Sequence, residues 1–208
     1  MVAEMFRFLS KLIFMLIVAA LAAAGILLYR SPDPLYTAQE TINFSQFHSY
    51  DALIESIAHK HDIDPLLVKA VIWKESSFDA KKVGKDGERG LMQVMPAAAN
   101  DWVKAKKIET FVPTDLFEPK TNIDAGTWYL KQALQRYSSK DDPLTFALTE
   151  YNAGRSRVDR WIADSNMGSR ATASDLRGSM KIESTRRYVD AIIARYKFYQ
   201  KREQDKKE

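Results

Sequence analysis

The feature that most restricts the fold of this chain is its uncharged, mostly apolar stretch, residues 12–29, which lies between Lys11 and Arg30. Its length approaches the roughly 20 residues that an α-helix needs to cross a bilayer. Aromatic residues stand near both ends of the stretch, and such side chains are enriched at membrane interfaces. We therefore predict one N-terminal transmembrane helix within residues 1–30.

A cleaved signal peptide is the alternative interpretation of this segment. Residues 20–22 and 22–24 both fit the pattern of small residues that precedes a cleavage site. The apolar run continues through residues 26–29, beyond both candidate sites, and this continuation favours an uncleaved anchor. Arg7 and Lys11 precede the run, which favours a cytoplasmic N-terminus. The predicted location is the cell inner membrane, with the rest of the chain on the periplasmic or extracytoplasmic side.

The remaining sequence divides by composition into a linker, a domain and a tail. Pro32 and Pro34 oppose helix formation directly after the apolar stretch, so this part is expected to be a tether. Fully extended, such a tether would reach at most about 60 Å. The predicted segments are an anchor at 1–30, a tether at 31–48, a folded domain at 49–200 and a charged tail at 201–208.

Composition excludes several classes of protein. The formal net charge of +4 is far from the strongly basic balance of a nucleic-acid binder, so no nucleic acid is expected as a partner. The chain has no cysteine, which excludes disulfides and thiolate metal sites. The three histidines, His48, His59 and His61, lack a metal-binding spacing. Neither a metal nor a cofactor is expected.

Helix start signals recur through residues 49–200. Aspartate followed by proline occurs at 64–65 and 142–143, and each pair combines an N-cap with proline at the first helical position. Thr121 and Asp124 resemble a capping box that would begin another helix. No run of residues alternates as a strand does. An all-α domain of about seven helices is the predicted fold class.

Two further segments complete this prediction. Gly154 is well placed to end the helix that begins at residue 143. Residues 166–181 are polar and rich in small side chains, and we predict a loop there. A last helix is expected to begin near Ser184.

Glu75 is the first candidate for chemistry. It ends a strongly apolar helix, with Val71 and Ile72 before it and Phe78 after it. Burial at the edge of an apolar surface favours the neutral carboxyl and raises its pKa, as a general acid near neutral pH requires. The same pattern also fits an exposed glutamate at the end of a surface helix.

Glu75 belongs to a series of short motifs that follow one another along the chain. They are W-K-E-S-S-F at 73–78, G-L-M-Q-V-M-P at 90–96, N-I-D-A-G-T-W-Y-L at 122–130 and E-Y-N-A-G at 150–154. With these motifs the chain resembles the soluble lytic transglycosylase family over roughly residues 50–200. The resemblance implies a lysozyme-like helical domain that acts on the glycan strands of peptidoglycan.

The resemblance also implies roles for individual residues. Glu75 corresponds to the catalytic acid/base of the family, and no cofactor is implied. The implied substrate-binding residues are Ser76 beside that glutamate, Met92 and Gln93 in the loop along the glycan groove, Tyr151 and Asn152 on the opposite wall, and Tyr188 in the last helix. An amide such as Gln93 can both donate to and accept from sugar groups. Tyr129 is interpreted as an ordinary core aromatic.

The mechanism implied by the resemblance uses a single carboxylate. Glu75 would protonate the glycosidic oxygen between N-acetylmuramic acid and N-acetylglucosamine, and would then deprotonate the muramyl C6 hydroxyl to close a 1,6-anhydro ring. Glu150 is interpreted as a surface residue. As a second carboxylate it would instead permit a hydrolase like goose-type lysozyme. The third hypothesis is a non-catalytic peptidoglycan-binding anchor, against which the intact motif around Glu75 argues.

Overall fold

The computed structural model describes residues 2–31 and 34–206, which form α-helices joined by loops. The chain divides into two compact units, residues 1–44 and 45–208. The helices are α1 (Val2–Tyr29), α2 (Pro34–Ile42), α3 (Phe44–His48), α4 (Asp51–Lys60), α5 (Pro65–Ser76), α6 (Pro96–Lys106), α7 (Pro119–Arg136), α8 (Pro143–Ala153), α9 (Arg155–Asp164), α10 (Ala173–Ser179) and α11 (Glu183–Asp205), with two 3-10 helices at Pro113–Phe117 and Gly168–Arg170. Within the described residues, pairing of extended backbone is limited to isolated bridges that join Arg89 to Val83 and to Val94. The predicted all-α class is confirmed.

The first unit contains α1, whose apolar part runs over Glu4–Tyr29 with a mean hydropathy of 2.7. At 1.5 Å per residue this part is about 39 Å long, which exceeds the roughly 30 Å of a bilayer core. Most of its large apolar side chains are exposed. A long apolar N-terminal helix is therefore confirmed. Its length and composition fit a membrane span, and a signal sequence has the same features.

The segment predicted as a tether contains helices. α2 begins at Pro34, so the expectation that this proline opposes helix formation is wrong. The first helical position needs no intrahelical partner for its N–H, and the fixed φ of proline suits it. Pro32 lies outside the described residues. The four segment boundaries themselves stay predictions.

In the second unit, α5 is the central helix. Apolar side chains cover nearly its whole circumference, and Val68, Val71 and Ile72 are fully buried. A helix that is apolar all round belongs inside a fold. α4 and α11 pack against α5, and α8 packs against both α7 and α11. Glu75, in the last turn of α5, is therefore held by a helix that lies inside this unit.

An arginine joins α11 to α5 inside the core. Arg195 is fully buried, and its guanidinium carbon lies 4.5 Å from the centre of the Trp73 ring. A cation over the face of an indole is attracted by the negative charge of that face. This contact fixes the part of α11 that follows Tyr188 against the helix that carries Glu75.

Two predicted helix features are wrong in detail. α10 lies inside 166–181, where a loop was expected, because Thr172 and Asp175 form a capping box that starts a helix in spite of the polar composition. Among the described residues, eight α-helices, α4–α11, follow Ser49, close to the predicted number of about seven. α7 begins at Pro119 rather than at Thr121. The Asp124 side chain caps nothing and instead hydrogen-bonds to the buried His61.

Candidate active site

Backbone geometry at the end of α5 presents Glu75. Ser77 adopts left-handed backbone with φ of 53°, and its N–H donates to the Trp73 carbonyl, which ends the helix. Phe78 also has a positive φ, 65°, and its ring packs 5.0 Å from that of Phe47. The ammonium of Lys82 donates to the backbone carbonyl of Glu75. The chain thus turns sharply away after Glu75 and leaves its carboxyl at the helix end.

Burial controls the charge of the Glu75 carboxyl. It raises the pKa from 4.5 to about 7, because an ionised carboxylate loses hydration among apolar neighbours. The hydroxyl of Tyr188 donates to Oε1 across 2.6 Å and favours the charged form, as does the positive charge of Lys82. The negative charge of Glu88, like burial, raises the pKa of Glu75. Near neutral pH, Glu75 can therefore both give and take a proton.

The loop between α5 and α6 is held by a buried amide. Asn122 accepts from the N–H of Met92 across 2.7 Å and donates to the carbonyls of Arg89 and Leu116, each also across 2.7 Å. Gly90, with φ of 73°, lies so close to the Asn122 amide that a Cβ there would overlap it. These contacts give a structural reason for Gly90 in one motif and for Asn122 in another motif, 32 positions later.

Two tyrosines and a glycine bring α7 and α8 to this loop. The hydroxyl of Tyr151 donates to the carbonyl of Met92 across 2.9 Å. The rings of Tyr151 and Tyr129 meet edge to face with centroids 5.7 Å apart. A Cβ on Gly126 would lie 2.6 Å from the sulfur of Met92 and 3.1 Å from the hydroxyl of Tyr151, so only glycine allows this approach.

A cavity of about 300 Å³ opens along these elements. Three predicted binding residues, Gln93, Tyr151 and Asn152, line it. Glu75 is not a lining residue, but it is close enough to Tyr151 for its charge to add to burial in raising the pKa of that phenol. Glu88 also lines the cavity and acts on Glu75. The cavity therefore lies beside Glu75.

Gln93 and Asn152 leave different polar groups available at this cavity. Gln93 donates its amide to the carbonyls of Lys82 and Gly90, which leaves its amide oxygen as an acceptor. Asn152 accepts from the Thr185 hydroxyl across 2.8 Å and keeps its amide N–H groups for other partners.

Three predicted binding residues, Ser76, Met92 and Tyr188, do not line the cavity. Ser76 is buried, and its hydroxyl donates to the Ile72 carbonyl of its own helix. The Met92 side chain is fully buried and accepts a hydrogen bond from Thr127. Tyr188 reaches the site only through Glu75. Ser76 and Met92 thus shape the surroundings of the cavity from within the core, and their part in substrate binding stays a prediction.

Glu150 is buried, not a surface residue. Its exposed fraction is 1%, and its carboxylate pairs with Arg136 and accepts from the Tyr137 hydroxyl across 2.8 Å. Burial and this carboxylate raise the pKa of Tyr137. The surface interpretation fails because α8 turns Glu150 towards α7 while Tyr151 faces the cavity. A buried carboxylate needs such partners.

Among the residues that line the cavity, the sequence analysis missed four with charged or aromatic side chains: Asp86, Glu88, Tyr129 and Arg157. Tyr129 follows Gly126 by three positions on α7, and this spacing places both on one face of the helix. Because Tyr129 lines the cavity and is only partly buried, its interpretation as an ordinary core aromatic is wrong. No local pattern marks the other three. Among the described residues, no three His, Asp or Glu side chains form a group that could hold a metal ion.

Comparison with known proteins gives a family match over most of the second unit. Residues 52–173 match the model of the transglycosylase SLT domain. The chain is 33% identical over 152 residues to a soluble lytic murein transglycosylase of Salmonella typhimurium, covering 73% of this chain and 23% of that protein. It is 28% identical to membrane-bound lytic murein transglycosylase C of Salmonella arizonae, covering 74% of this chain and 47% of that one.

A solved structure agrees with this family match. The 70 kDa soluble lytic transglycosylase of Escherichia coli superposes with a TM-score of 0.63 at 30% identity, covering 73% of this chain and 24% of that chain. The match thus spans about a quarter of the length of the soluble relatives. Because the family model covers more than half of this sequence, the chain belongs to the transglycosylase SLT domain family.

Proposed function

We propose that this protein is a lytic transglycosylase that cleaves the β-1,4 bond between N-acetylmuramic acid and N-acetylglucosamine in peptidoglycan, with Glu75 as its single acid/base. One observation carries the proposal: the pKa of Glu75 is raised to about 7 beside a cavity lined by amides and tyrosines. A group that must first donate and then accept a proton works best when its pKa lies near the working pH.

The proposed reaction has two proton transfers and consumes no water. Protonated Glu75 delivers its proton to the glycosidic oxygen as the bond from that oxygen to C1 of the muramyl residue breaks. The acetamido oxygen of the same sugar stabilises the positive charge at C1. The Glu75 carboxylate then takes the proton of the C6 hydroxyl as O6 bonds to C1. This step restores protonated Glu75 and leaves a 1,6-anhydro ring.

The lining of the cavity supports a sugar ligand. The free amide oxygen of Gln93 and the free N–H groups of Asn152 offer an acceptor and a donor for hydroxyl and acetamido groups. Tyr129 and Tyr151 present ring surface for the apolar face of a sugar. Tyr188 acts through Glu75 as a positioning residue, because its hydroxyl contacts that carboxyl.

Hydrolysis is the second candidate, and Glu88 is the observation that favours it. Hydrolases place a water with a second carboxylate at most about 10 Å from the first. Glu150 is unsuited to that role, because Arg136 and Tyr137 occupy its carboxylate. Glu88 lines the cavity and accepts from the N–H of Asp86 across 3.0 Å. It is the carboxylate that a lysozyme-like reaction would use.

Digestion of purified peptidoglycan by the full chain tests the reaction class. We expect anhydromuropeptides, which are lighter by one water than the hydrolytic products, and at least a roughly 100-fold loss of activity in Glu75→Gln. Hydrated products that disappear in Glu88→Gln would establish a hydrolase instead. Binding to peptidoglycan without either product would leave a non-catalytic anchor.

We further propose that α1 stays in the inner membrane and that residues 49–200 act on its periplasmic side. The length and hydropathy of α1 support the anchor, and Arg7 and Lys11 before the apolar run support a cytoplasmic N-terminus. Extraction of membranes with alkaline carbonate should leave the protein in the pellet. N-terminal sequencing that finds a mature chain beginning at Ala23 or Gly25 would refute the anchor but not the export.

A further inference from the structure

The helix α2 exposes its apolar side and buries its polar side. Leu35 and Ile42 are 79% and 80% exposed. Because they stand two helical turns apart, their directions around the helix axis differ by only about 20°. Thr37 and Glu40 lie about 200° and 140° around the axis from Leu35. Both are buried, at 1% and 3% exposed. A surface helix of a water-soluble protein has the opposite arrangement, so the outer side of α2 is suited to apolar surroundings.

The exposed side chains that the structure describes in α2 carry no charge. Glu40 is the one charged residue in the sequence of this helix, and it is buried. Gln39 and Thr41, which are exposed beside the apolar pair, are neutral. Phe44 follows the helix and is 64% exposed. Exposed apolar surface of this kind marks a contact with a protein or with a membrane.

The position of α2 directly after α1 favours the membrane. Four residues separate the two helices, and even fully extended they reach only about 18 Å. The hydroxyls of Ser31 and Thr37 form a hydrogen bond between the end of α1 and the start of α2. Residues 4–26 of α1 are exposed, and only residues 27–28 in its last turn are partly buried. α2 therefore does not fold back along α1 but lies at its end, where a spanning helix leaves the bilayer.

We infer that α2 is an interfacial helix, which lies on the surface of the bilayer that α1 spans and inserts Leu35, Ile42 and Phe44 among the lipid chains. This inference rests on the proposed membrane anchor. The apolar face of such a helix is buried roughly 5–10 Å into the boundary between head groups and acyl chains. A helix of nine residues has little apolar surface of its own, but α1 holds it at the bilayer and so raises its effective concentration there. The chain thus leaves the bilayer after Phe44 and not after Arg30.

Fluorescence quenching of the full chain in phosphatidylcholine vesicles tests this inference. Because the chain has no cysteine, Leu35→Cys and Ile42→Cys each provide a single site for an environment-sensitive nitrobenzoxadiazole label. We expect both labels to shift their emission to shorter wavelength, to be quenched by lipids that carry a nitroxide on the acyl chain, and to lose quenching by aqueous iodide. Thr41→Cys is the matched control, because Thr41 is exposed and points about 100° away from Ile42. Its label should be quenched by iodide and not by the lipids.

Three results would overturn the interfacial helix. The first is iodide quenching of the labels at 35 and 42 as strong as that at 41. The second is protection from iodide without quenching by the lipids, because a second copy or another protein surface would then cover α2. The third is equal quenching by the lipids at all three positions, since α2 would then have no preferred face.

Failure of the anchor or of the reaction would be seen separately. A label at Leu16→Cys, in the exposed middle part of α1, reports on the anchor. If the lipids do not quench it, the proposed anchor fails and α2 loses its bilayer. If they quench it while the labels on α2 stay accessible to iodide, only the interfacial helix is refuted. The products of peptidoglycan digestion test the reaction independently of both.

Discussion

The hydroxyl of Tyr188 lies 2.6 Å from Oε1 of Glu75, although the two residues are 113 positions apart in the chain. Burial, and then the nearby Glu75 charge, raise the pKa of Tyr188 well above its usual value. Tyr188 therefore keeps its proton and remains a donor to this carboxyl. The hydrogen bond stabilises the charged carboxylate and partly offsets the effect of burial on the pKa of Glu75.

Tyr188→Phe should raise the pKa of Glu75 above about 7, because it removes a hydrogen bond that favours the ionised form. The proposed reaction requires protonated Glu75, so the alkaline limb of the profile of kcat/KM against pH should move to higher pH. Tyr196→Phe is the matched control. Tyr196 lies on the same helix as Tyr188, α11, and its hydroxyl donates to Asp64 across 2.6 Å. An alkaline limb that stays in place or moves to lower pH would contradict this role of Tyr188.

Glu75→Gln should stabilise the protein at alkaline pH. The pKa of Glu75 is about 7 when folded and 4.5 as the reference value, so between these pH values the folded state binds more protons and the free energy of unfolding falls as pH rises. A glutamine at this position does not titrate, so the variant does not lose this part of its free energy of unfolding as pH rises. Urea unfolding should show no advantage of the variant at pH 4 and an advantage of about 3 kcal/mol at pH 8. An advantage that is equal at both pH values would show that the charge of Glu75 is not its source.

Glu150→Ala should destabilise the fold without changing the reaction products. It leaves Arg136 and Tyr137 without their carboxylate partner, and the free energy of unfolding should fall by about 2 to 3 kcal/mol, below the full cost of breaking a buried pair because Arg136 is partly exposed. Glu55→Ala is the control: its carboxylate is exposed and pairs only loosely with His59, at 3.9 Å. Products that change from anhydro to hydrated forms would show that Glu150 takes part in the chemistry.

Gly126→Ala should reduce both stability and activity. The added methyl group would meet the Met92 side chain at 2.6 Å and displace the Tyr151 hydroxyl, at a cost of about 1 to 3 kcal/mol for overpacking. Gly178→Ala, in α10, has open space around the new methyl group and should be neutral or stabilising. Thermal unfolding and digestion rates measure both effects. Equal behaviour of the two variants would refute the close approach at Gly126.

The sequence predicted those parts of the fold that depend on neighbouring residues. Asp64 and Asp142 cap the helices expected of them, and Gly154 ends α8 with φ of 83°. Such signals act within one helical turn and need no knowledge of the rest of the chain. Thr172 and Asp175 form a signal of the same kind, which the polar composition around them concealed.

The direction of each side chain was harder to predict, because distant packing decides it. Glu150 lies next to Tyr151, yet one faces Arg136 on α7 and the other faces the cavity. Successive residues on a helix point about 100° apart, and the sequence does not state which of them faces the core. Tyr188 entered the predicted site only through the family resemblance, and no spacing in the chain indicates its contact with Glu75.

Because Glu75 and Tyr188 come from opposite ends of the second unit, the order of synthesis matters. A ribosome adds Glu75 long before it adds the residues of α11. A nascent or prematurely ended chain therefore has the carboxyl but lacks both the Tyr188 hydroxyl and the Arg195 side chain that stacks on Trp73. The proposed cleavage of the cell wall would thus begin only after α11 has been made and has docked. The site therefore forms only once the chain has been synthesised through α11.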